Sequence, residues 1–186
     1  MTTHAMIDIE TLGTSTDSVV LTIGGVKFDP NDESRGTWDE FYYSLDIAEQ
    51  LEEVEGRHAR EVCDKTIEWW AKTNANMLLE ELDNPERTPV IDVLKALNTW
   101  QVGTKFIWAQ GPQFDMPILE NLFRGYYHHI PWTGFWRIRD SRTLLGLMEV
   151  DPRKSIDFAA HNAMEDCKVQ AMGVQRTLKH LGITHE

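Results

Sequence analysis

A chain of 186 residues lies in the range of one domain and is long enough to bury a substantial core. Its 41% hydrophobic and 26% charged residues are ordinary for a soluble globular protein. A formal charge of −12 argues against a protein that coats nucleic acid nonspecifically, but not against one that meets phosphate through metal-holding carboxylates. Cys63 and Cys167, the only cysteines, are too few and too isolated for a disulfide framework or a zinc site. No basic leader opens the chain and no apolar run approaches membrane-spanning length, so a reduced cytoplasmic protein is expected.

The first element, Ala5 to Glu10, is apolar except for Asp8 and Glu10. In a β-strand those two side chains share a face, and adjacent carboxylates repel unless a cation sits between them. A hard divalent ion with oxygen ligands meets that need, the plain alternative being a strand whose polar face meets solvent. The polar run Thr11 to Ser18 would leave an open path to it. Val19 to Phe28 reads as a second, interior strand, with Gly24-Gly25 as a bulge or a point of close approach. After the turn at Asp29-Pro30-Asn31-Asp32, Trp38 to Leu45 reads as a third strand. The short connections make these three consecutive antiparallel strands.

Ile47 to Glu55 reads as an acidic helix. The next is capped by Asp64 or Thr66 and turns Ile67, Trp70 and Ala71 inward. Asn74 to Leu82 is a further short helix. Thr88-Pro89 opens another, whose stripe of Val90, Leu94 and Leu97 runs to Trp100, with Gly103 ending it. Lys105 to Ala109 is a short strand, broken at Gly111-Pro112. Asp115 to Arg124 is a helix with Ile118, Leu119, Leu122 and Phe123 inward. An aromatic, irregular stretch from Tyr126 to Trp136 leads to a brief strand at Arg137 to Asp140 and a helix at Thr143 to Met148. A long helix from Asn162 to His180 closes the series, with Val169, Met172, Val174 and Leu178 as core positions. A meander followed by alternating strands and helices predicts an α/β fold around a mixed sheet.

Two later carboxylates join the first pair. Asp115 stands after a strand and a tight turn, where ligand sites of α/β sheets gather, although an N-cap role would equally place an Asp there. Asp166 lies between Ala163 and Val169 on a core-facing stripe, where an unpaired carboxylate is costly and a metal would remove the cost. His161 cannot share one straight helical face with Asp166, but the two converge if His161 leads into the helix. Glu165 reads as solvent-facing.

Asp8-x-Glu10, Phe114-Asp115 and His161-x4-Asp166, in this order and on these elements, resemble the DEDDh (DnaQ-like) 3′–5′ exonuclease family. That family includes ribonuclease T, oligoribonuclease and the proofreading subunit of bacterial replicases. The chain is similar to the phage exonuclease A proteins and the mycobacterial exoribonuclease-like group in Ile7-Asp8-Ile9-Glu10-Thr11-Leu12-Gly13, in Ile67-Glu68-Trp69-Trp70 and in Asp140-Ser141-Arg142-Thr143-Leu144. The resemblance implies a ribonuclease H-like fold and one exonuclease domain over residues 1–186. It implies hydrolysis at 3′ ends of single-stranded nucleic acid, DNA slightly favoured over RNA.

The resemblance also implies a two-metal mechanism with Mg²⁺ or Mn²⁺. Asp8 would bridge both ions, Glu10 and Asp166 would complete one site, and Asp115 would hold the second ion. His161 would be the general base, its ordinary pKa lying near neutrality. Thr11, Leu12, Gln110 and Phe114 would meet substrate. Gln110 departs from the family, which often has Asn there.

Base stacking could draw on Trp69, Trp70 or Trp108, though most of the seven tryptophans suit a core better. Arg137, Arg139 and Arg142 would either steer phosphates or pair with carboxylates. Family members are often homodimers, but no interface can be read here. A host cytoplasm is implied if the chain is of phage origin. Competing readings are an exoribonuclease, a non-catalytic nucleic-acid-binding module on the same fold, and an endonuclease of ribonuclease H type.

Overall fold

The computed structural model describes residues 3–33, 38–130, 132, 134–156 and 162–185. Five strands form one mixed sheet in the order β3-β2-β1-β4-β5. The first three, β1 (His4–Thr11), β2 (Val20–Phe28) and β3 (Asp39–Ser44), make the antiparallel meander. On the other side of β1, β4 (Ile107–Ala109) and β5 (Ile138–Asp140) add in parallel. The expected α/β, ribonuclease H-like arrangement of a meander followed by parallel strands is what the chain adopts.

Alternation along β1 divides the molecule. Ala5, Ile7 and Ile9 enter a core with α4 (Val90–Trp100) and α5 (Pro112–Tyr126), through Val93, Leu97, Leu119 and Leu122. Met6 faces the other way, into a core with Cys167, Ala171, Val174 and Leu178 of α7 (Ala163–His180). Asp8 and Glu10 share the parity of Met6, so the paired carboxylates continue the α7 face of the sheet. A smaller core joins Leu12, Val19 and Leu21 to α2 (Asp64–Thr73) and α3 (Ala75–Leu82), with Trp70 its largest buried side chain.

Gly24 lies directly opposite Asp8. A Cβ there would sit 2.5 Å from the Ala163 carbonyl oxygen and 2.8 Å from the Met164 nitrogen. A Cβ on Gly25 would meet the Trp100 ring at 2.8 Å on the opposite face. The pair therefore admits close approach on both sides, whereas the register stays regular through it. The irregularity instead falls between Glu10 and Thr11.

Several boundaries differ from those expected. The acidic helix is only one turn, α1 (Ile47–Leu51), because Asp46 caps it at the Glu49 nitrogen and the chain becomes extended at Glu52. Neither Asp64 nor Thr66 caps α2. Cys63 holds the cap position, and Ala71 faces solvent. At α4 the cap position is Pro89, one residue later than expected, because the Thr88 backbone pairs with the strand-side chain at Leu45. The Glu49 side chain then accepts from the Val90 nitrogen at 2.8 Å. Helix α5 starts earlier than Asp115, at Pro112, behind a left-handed Gly111 with φ of 92°. The helix expected at Thr143–Met148 begins earlier, as α6 (Ser141–Leu145), capped by Asp140. Among the described residues no helix is long and apolar enough to cross a membrane.

Gly24→Ala forces Cβ into the backbone of α7, which cannot move without losing its packing on β1 and β2. Overpacking of this kind costs about 1–3 kcal/mol. The expected outcome is a lowered denaturation midpoint in urea with an unchanged m-value. An unchanged midpoint would show that α7 is not seated on Gly24.

Candidate active site

Asp8 and Glu10 project from the middle and end of β1, and Asp166 comes from the first turn of α7. One carboxylate oxygen from each lies within 4.8 Å of the others. The start of α7 is held by the Asn162 side chain, whose Oδ1 accepts from the Met164 and Glu165 nitrogens at 3.1 and 3.2 Å. Its N-terminal dipole favours the negative charge of Asp166. His161 precedes that cap in sequence and lies outside the described residues.

Asp115 occupies the first turn of α5 and is buried, 3% exposed. It is not one of the three carboxylates within 4.8 Å of one another. Its carboxylate accepts from its own backbone nitrogen and from that of Ile9. Electrostatically the four acids form one group. Burial pushes the Asp8 carboxyl well above its ordinary range, and the charges of Asp115, Glu10 and Asp166 add to the shift. Glu10 rises to about 8, first through burial and then through Asp166, Asp115 and Glu81. Asp115 rises to about 7 through burial, opposed by its backbone hydrogen bonds and by the Arg142 guanidinium.

Two residues that the sequence reading did not single out act on this group, Gln170 by contact and Glu81 by its charge near Glu10. Gln170 is buried on α7, one turn beyond Asp166, and its Nε2 donates to Asp8 Oδ1 at 2.9 Å. The i, i+4 spacing from Asp166 was the available signal. Glu81 on α3 accepts from the Tyr42 hydroxyl at 2.9 Å and the Ser44 hydroxyl at 3.0 Å, and pairs with Arg87 at 3.5 Å. Nothing in its local sequence distinguishes it from Glu80 beside it.

The expected substrate residues separate. Thr11 and Phe114 line an open cavity beside Glu10, which Ile9, Gly13, Thr66 and Trp69 also line. Leu12 is buried in the small core with Val19 and Trp70. Gln110 accepts from Arg153 through its side chain, and its carbonyl accepts from Arg142 at 3.4 Å. The arginines largely serve the backbone. Arg137 donates to the Thr104 carbonyl at 2.7 Å, and Arg139 lies over the Phe106 ring at 3.8 Å. Glu165 is not fully solvent-facing. It pairs with Lys168 at 3.2 Å, and Lys168 also reaches Glu40 at 3.1 Å.

Residues 3–178 match the family model for the 3′-5′ exoribonuclease Rv2179c-like domain. The chain belongs to that family. It is therefore a member of a 3′–5′ exonuclease family of the DEDDh type, and its acidic group is compatible with metal binding. An exodeoxyribonuclease of Enterobacteria phage T4 is 26% identical over 204 residues, covering 94% of this chain and 88% of the relative. Exonuclease I from Methylocaldum szegediense shares the fold with a TM-score of 0.64 at 13% identity over 97% of this chain. E. coli Exonuclease I in complex with a 5cy-dA13 oligonucleotide gives the same TM-score of 0.64 at 13% identity, again over 97% of this chain. The chain spans only 41% of the length of either Exonuclease I.

The raised carboxyls make stability fall with rising pH, against a smaller opposite contribution from His4, whose imidazole pKa is lowered by burial to about 3. In the unfolded chain they ionise near about pH 4. In the folded, metal-free protein Asp115 and Glu10 hold their protons up to about 7 and about 8. Between those limits the folded state binds more protons than the unfolded state, so stability falls as pH rises. Their contribution is fully present below the unfolded pKa and is lost above the folded ones. Chelator-treated protein should therefore melt higher at about pH 5 than at about pH 8 in calorimetry, the reverse of ordinary acid denaturation. A melting temperature that rises over that interval would contradict the charge cluster.

Proposed function

We propose that this chain is a divalent-metal-dependent exonuclease removing nucleotides from the 3′ end of single-stranded nucleic acid, DNA in preference to RNA. The observation that carries the reading is the convergence of Asp8, Glu10 and Asp166 within 4.8 Å. The donor set fits hard divalent ions, since it offers only carboxylate oxygens and its acids repel one another when ionised. The family model's span, residues 3–178, supports reading residues 1–186 as one exonuclease domain.

Asp8, Glu10 and Asp166 would hold Mg²⁺ or Mn²⁺, with Asp115 serving a second ion. Bound there, two such ions supply an activated water and neutralise charge on the attacking and leaving oxygens of the phosphodiester. The protein's own groups do the rest. Gln170 fixes one oxygen of Asp8. Backbone nitrogens of Ile9 and Asp115 orient the Asp115 carboxylate. The family resemblance gives His161 the role of general base, taking a proton from the attacking water. Thr11 and Phe114 border the cavity next to Glu10, where the terminal nucleotide would enter.

The DNA preference rests on the phage exodeoxyribonuclease, similar along 94% of this chain. Exonuclease I of E. coli, bound to a DNA oligonucleotide, is a further support through fold. A second reading, an exoribonuclease, is favoured by the description of the family model itself.

Digestion of 5′-labelled DNA and RNA oligonucleotides tests both. With Mg²⁺ or Mn²⁺ the expected products are ladders shortening from the 3′ end, faster on DNA, and abolished by chelator and by Asp166→Asn. Faster shortening of RNA would favour the exoribonuclease. Internal cuts would indicate an endonuclease, and no cleavage a binding module. His161→Ala should lower kcat by roughly 10²- to 10⁴-fold with KM little altered, the range of general-base catalysis. Wild-type turnover in that variant would remove His161 from the chemistry.

A further inference from the structure

One surface, toward the start of the parallel strands, carries charge of the opposite sign to the chain as a whole. Residues 93–114 and 121–139 contain no Asp or Glu, although the chain has 30. The two segments meet where β4 pairs with β5, Ile107 opposite Ile138 and Trp108 opposite Arg139. Strand β5 is an edge of the sheet. Lys105, Arg137 and Arg139 gather there. Arg139 lies over the Phe106 ring at 3.8 Å, and Lys105 lies over the same ring at 5.8 Å. Arg137 donates to the Thr104 carbonyl at 2.7 Å and to the Thr104 hydroxyl at 3.1 Å. Arg139 donates to the carbonyls of Trp136 and Ile138. Among the described residues the hydrogen-bond partners of both guanidinium groups are neutral, so their charge is held in place without being cancelled. Their neighbours feel it. Burial lowers the imidazoles of His4 and His185, and the charges of Lys105 and Arg139 lower both further.

Beside these cations a single 3₁₀ turn, Phe135–Arg137, leads into β5 and presents two aromatic rings to solvent. Phe135 is 87% exposed, more than any other large hydrophobic side chain among the described residues, and Trp136 is 63% exposed. The rings meet edge-on, with centroids 5.4 Å apart. Trp136 folds back over Gly134, where a Cβ would lie 2.5 Å from its ring, so the backbone supports part of the indole. Cations on an edge strand deter pairing with another sheet, but that task does not call for a Phe and a Trp in water. Exposed rings set among Lys and Arg suit single-stranded nucleic acid, whose bases stack on the rings while its phosphates meet the cations. A second copy of the chain fits less well, because a two-fold interface centred here would set these cations against the same cations.

We propose that this patch is a second contact for single-stranded nucleic acid, upstream of the 3′ end that enters the acidic group. Bases stack on Phe135 and Trp136, and phosphates meet Lys105, Arg137 and Arg139. Trp108 stands opposite both Met6 and Arg139, so Arg139 is level with Met6 and two residues short of Asp8 along the sheet. Two strand spacings across, and two to four residues along, separate it from Asp8 and Glu10 by roughly 12–16 Å. At about 3.4 Å per stacked nucleotide, a strand spans that gap in roughly four to five nucleotides. The proposal rests on the exonuclease reading for the direction of the strand, but not for its binding.

An oligothymidylate trimer, too short to reach from the acidic group to the patch, and a hexadecamer test it. Trp136→Ala should lower kcat/KM on the hexadecamer by roughly 5- to 150-fold, the worth of one stacked base, and leave the trimer unchanged. Trp136→Phe should restore most of the loss. Lys105→Gln should reduce the salt slope of hexadecamer binding by roughly 0.7, the worth of one phosphate contact on a single strand. Equal losses on both lengths, losses on neither, or an unchanged salt slope would overturn the proposal. Fluorescence anisotropy of the labelled hexadecamer with Ca²⁺ reads binding apart from hydrolysis. Binding that Trp136→Ala weakens supports the patch even if the wild type cleaves nothing, in which case the exonuclease reading alone fails. A wild-type dimer in sedimentation that Trp136→Ala dissociates, with hexadecamer affinity unchanged, would give the rings to a second copy and contradict the proposal.

Discussion

The site depends on the contact between the first turn of α7 and Gly24. Strand β1 can place two carboxylates side by side, but a third must come from elsewhere in the chain. It arrives because α7 lies against β1 and β2 with its backbone where a side chain on β2 would otherwise be. Gly24 is directly across from Asp8, so the closest helix–sheet approach coincides with the point where the charges meet. Below it, Cys167, Ala171, Val174 and Leu178 pack on Met6 and Val26, which seats the helix through apolar burial. The apolar face and the acidic group are thus one continuous row on the sheet, apolar at Met6 and acidic toward the end of β1.

That arrangement sets stability against function. Asp8, Glu10 and Asp115 all have carboxyls raised above their ordinary range, with burial the largest cause in each. The surroundings relieve the repulsion only in part. Gln170 donates to Asp8, backbone nitrogens donate to Asp115, and Arg142 lies near Asp115. Glu81 adds further negative charge near Glu10, although Tyr42, Ser44 and Arg87 hold it. A fold that gathers acids in this way gains most from a divalent cation, because the cation removes the repulsion that the packing imposes.

Much of this was legible in the chain. Strand alternation was enough to put Asp8 and Glu10 on one face, and the apolar neighbours of Asp166 pointed it toward the sheet. Short turns predicted the meander. The glycine pair predicted close approach, though the bulge fell one strand away, at Glu10 and Thr11, where the Trp70 indole holds the Thr11 carbonyl. Other features depended on tertiary partners. Two adjacent tryptophans look alike in sequence, and only the packing of α2 buries one and leaves the other at a cavity. Gln170 became part of the acidic group through a contact 162 positions away. Local cap signals misled at Cys63 and Thr88, where long-range pairing with Leu12 and Leu45 set the backbone first. His161 lies outside the described residues, so its part in the site rests on the family resemblance.

The central claim is that α7 and β1 together make a divalent-cation site. Calorimetric titration of Mn²⁺ into wild type, Asp8→Asn and Asp166→Asn tests it most directly, one variant removing a donor from each element. The account predicts binding to wild type and sharply weakened binding to both variants, while circular dichroism shows them folded. Unchanged Mn²⁺ affinity in the two folded variants would contradict it.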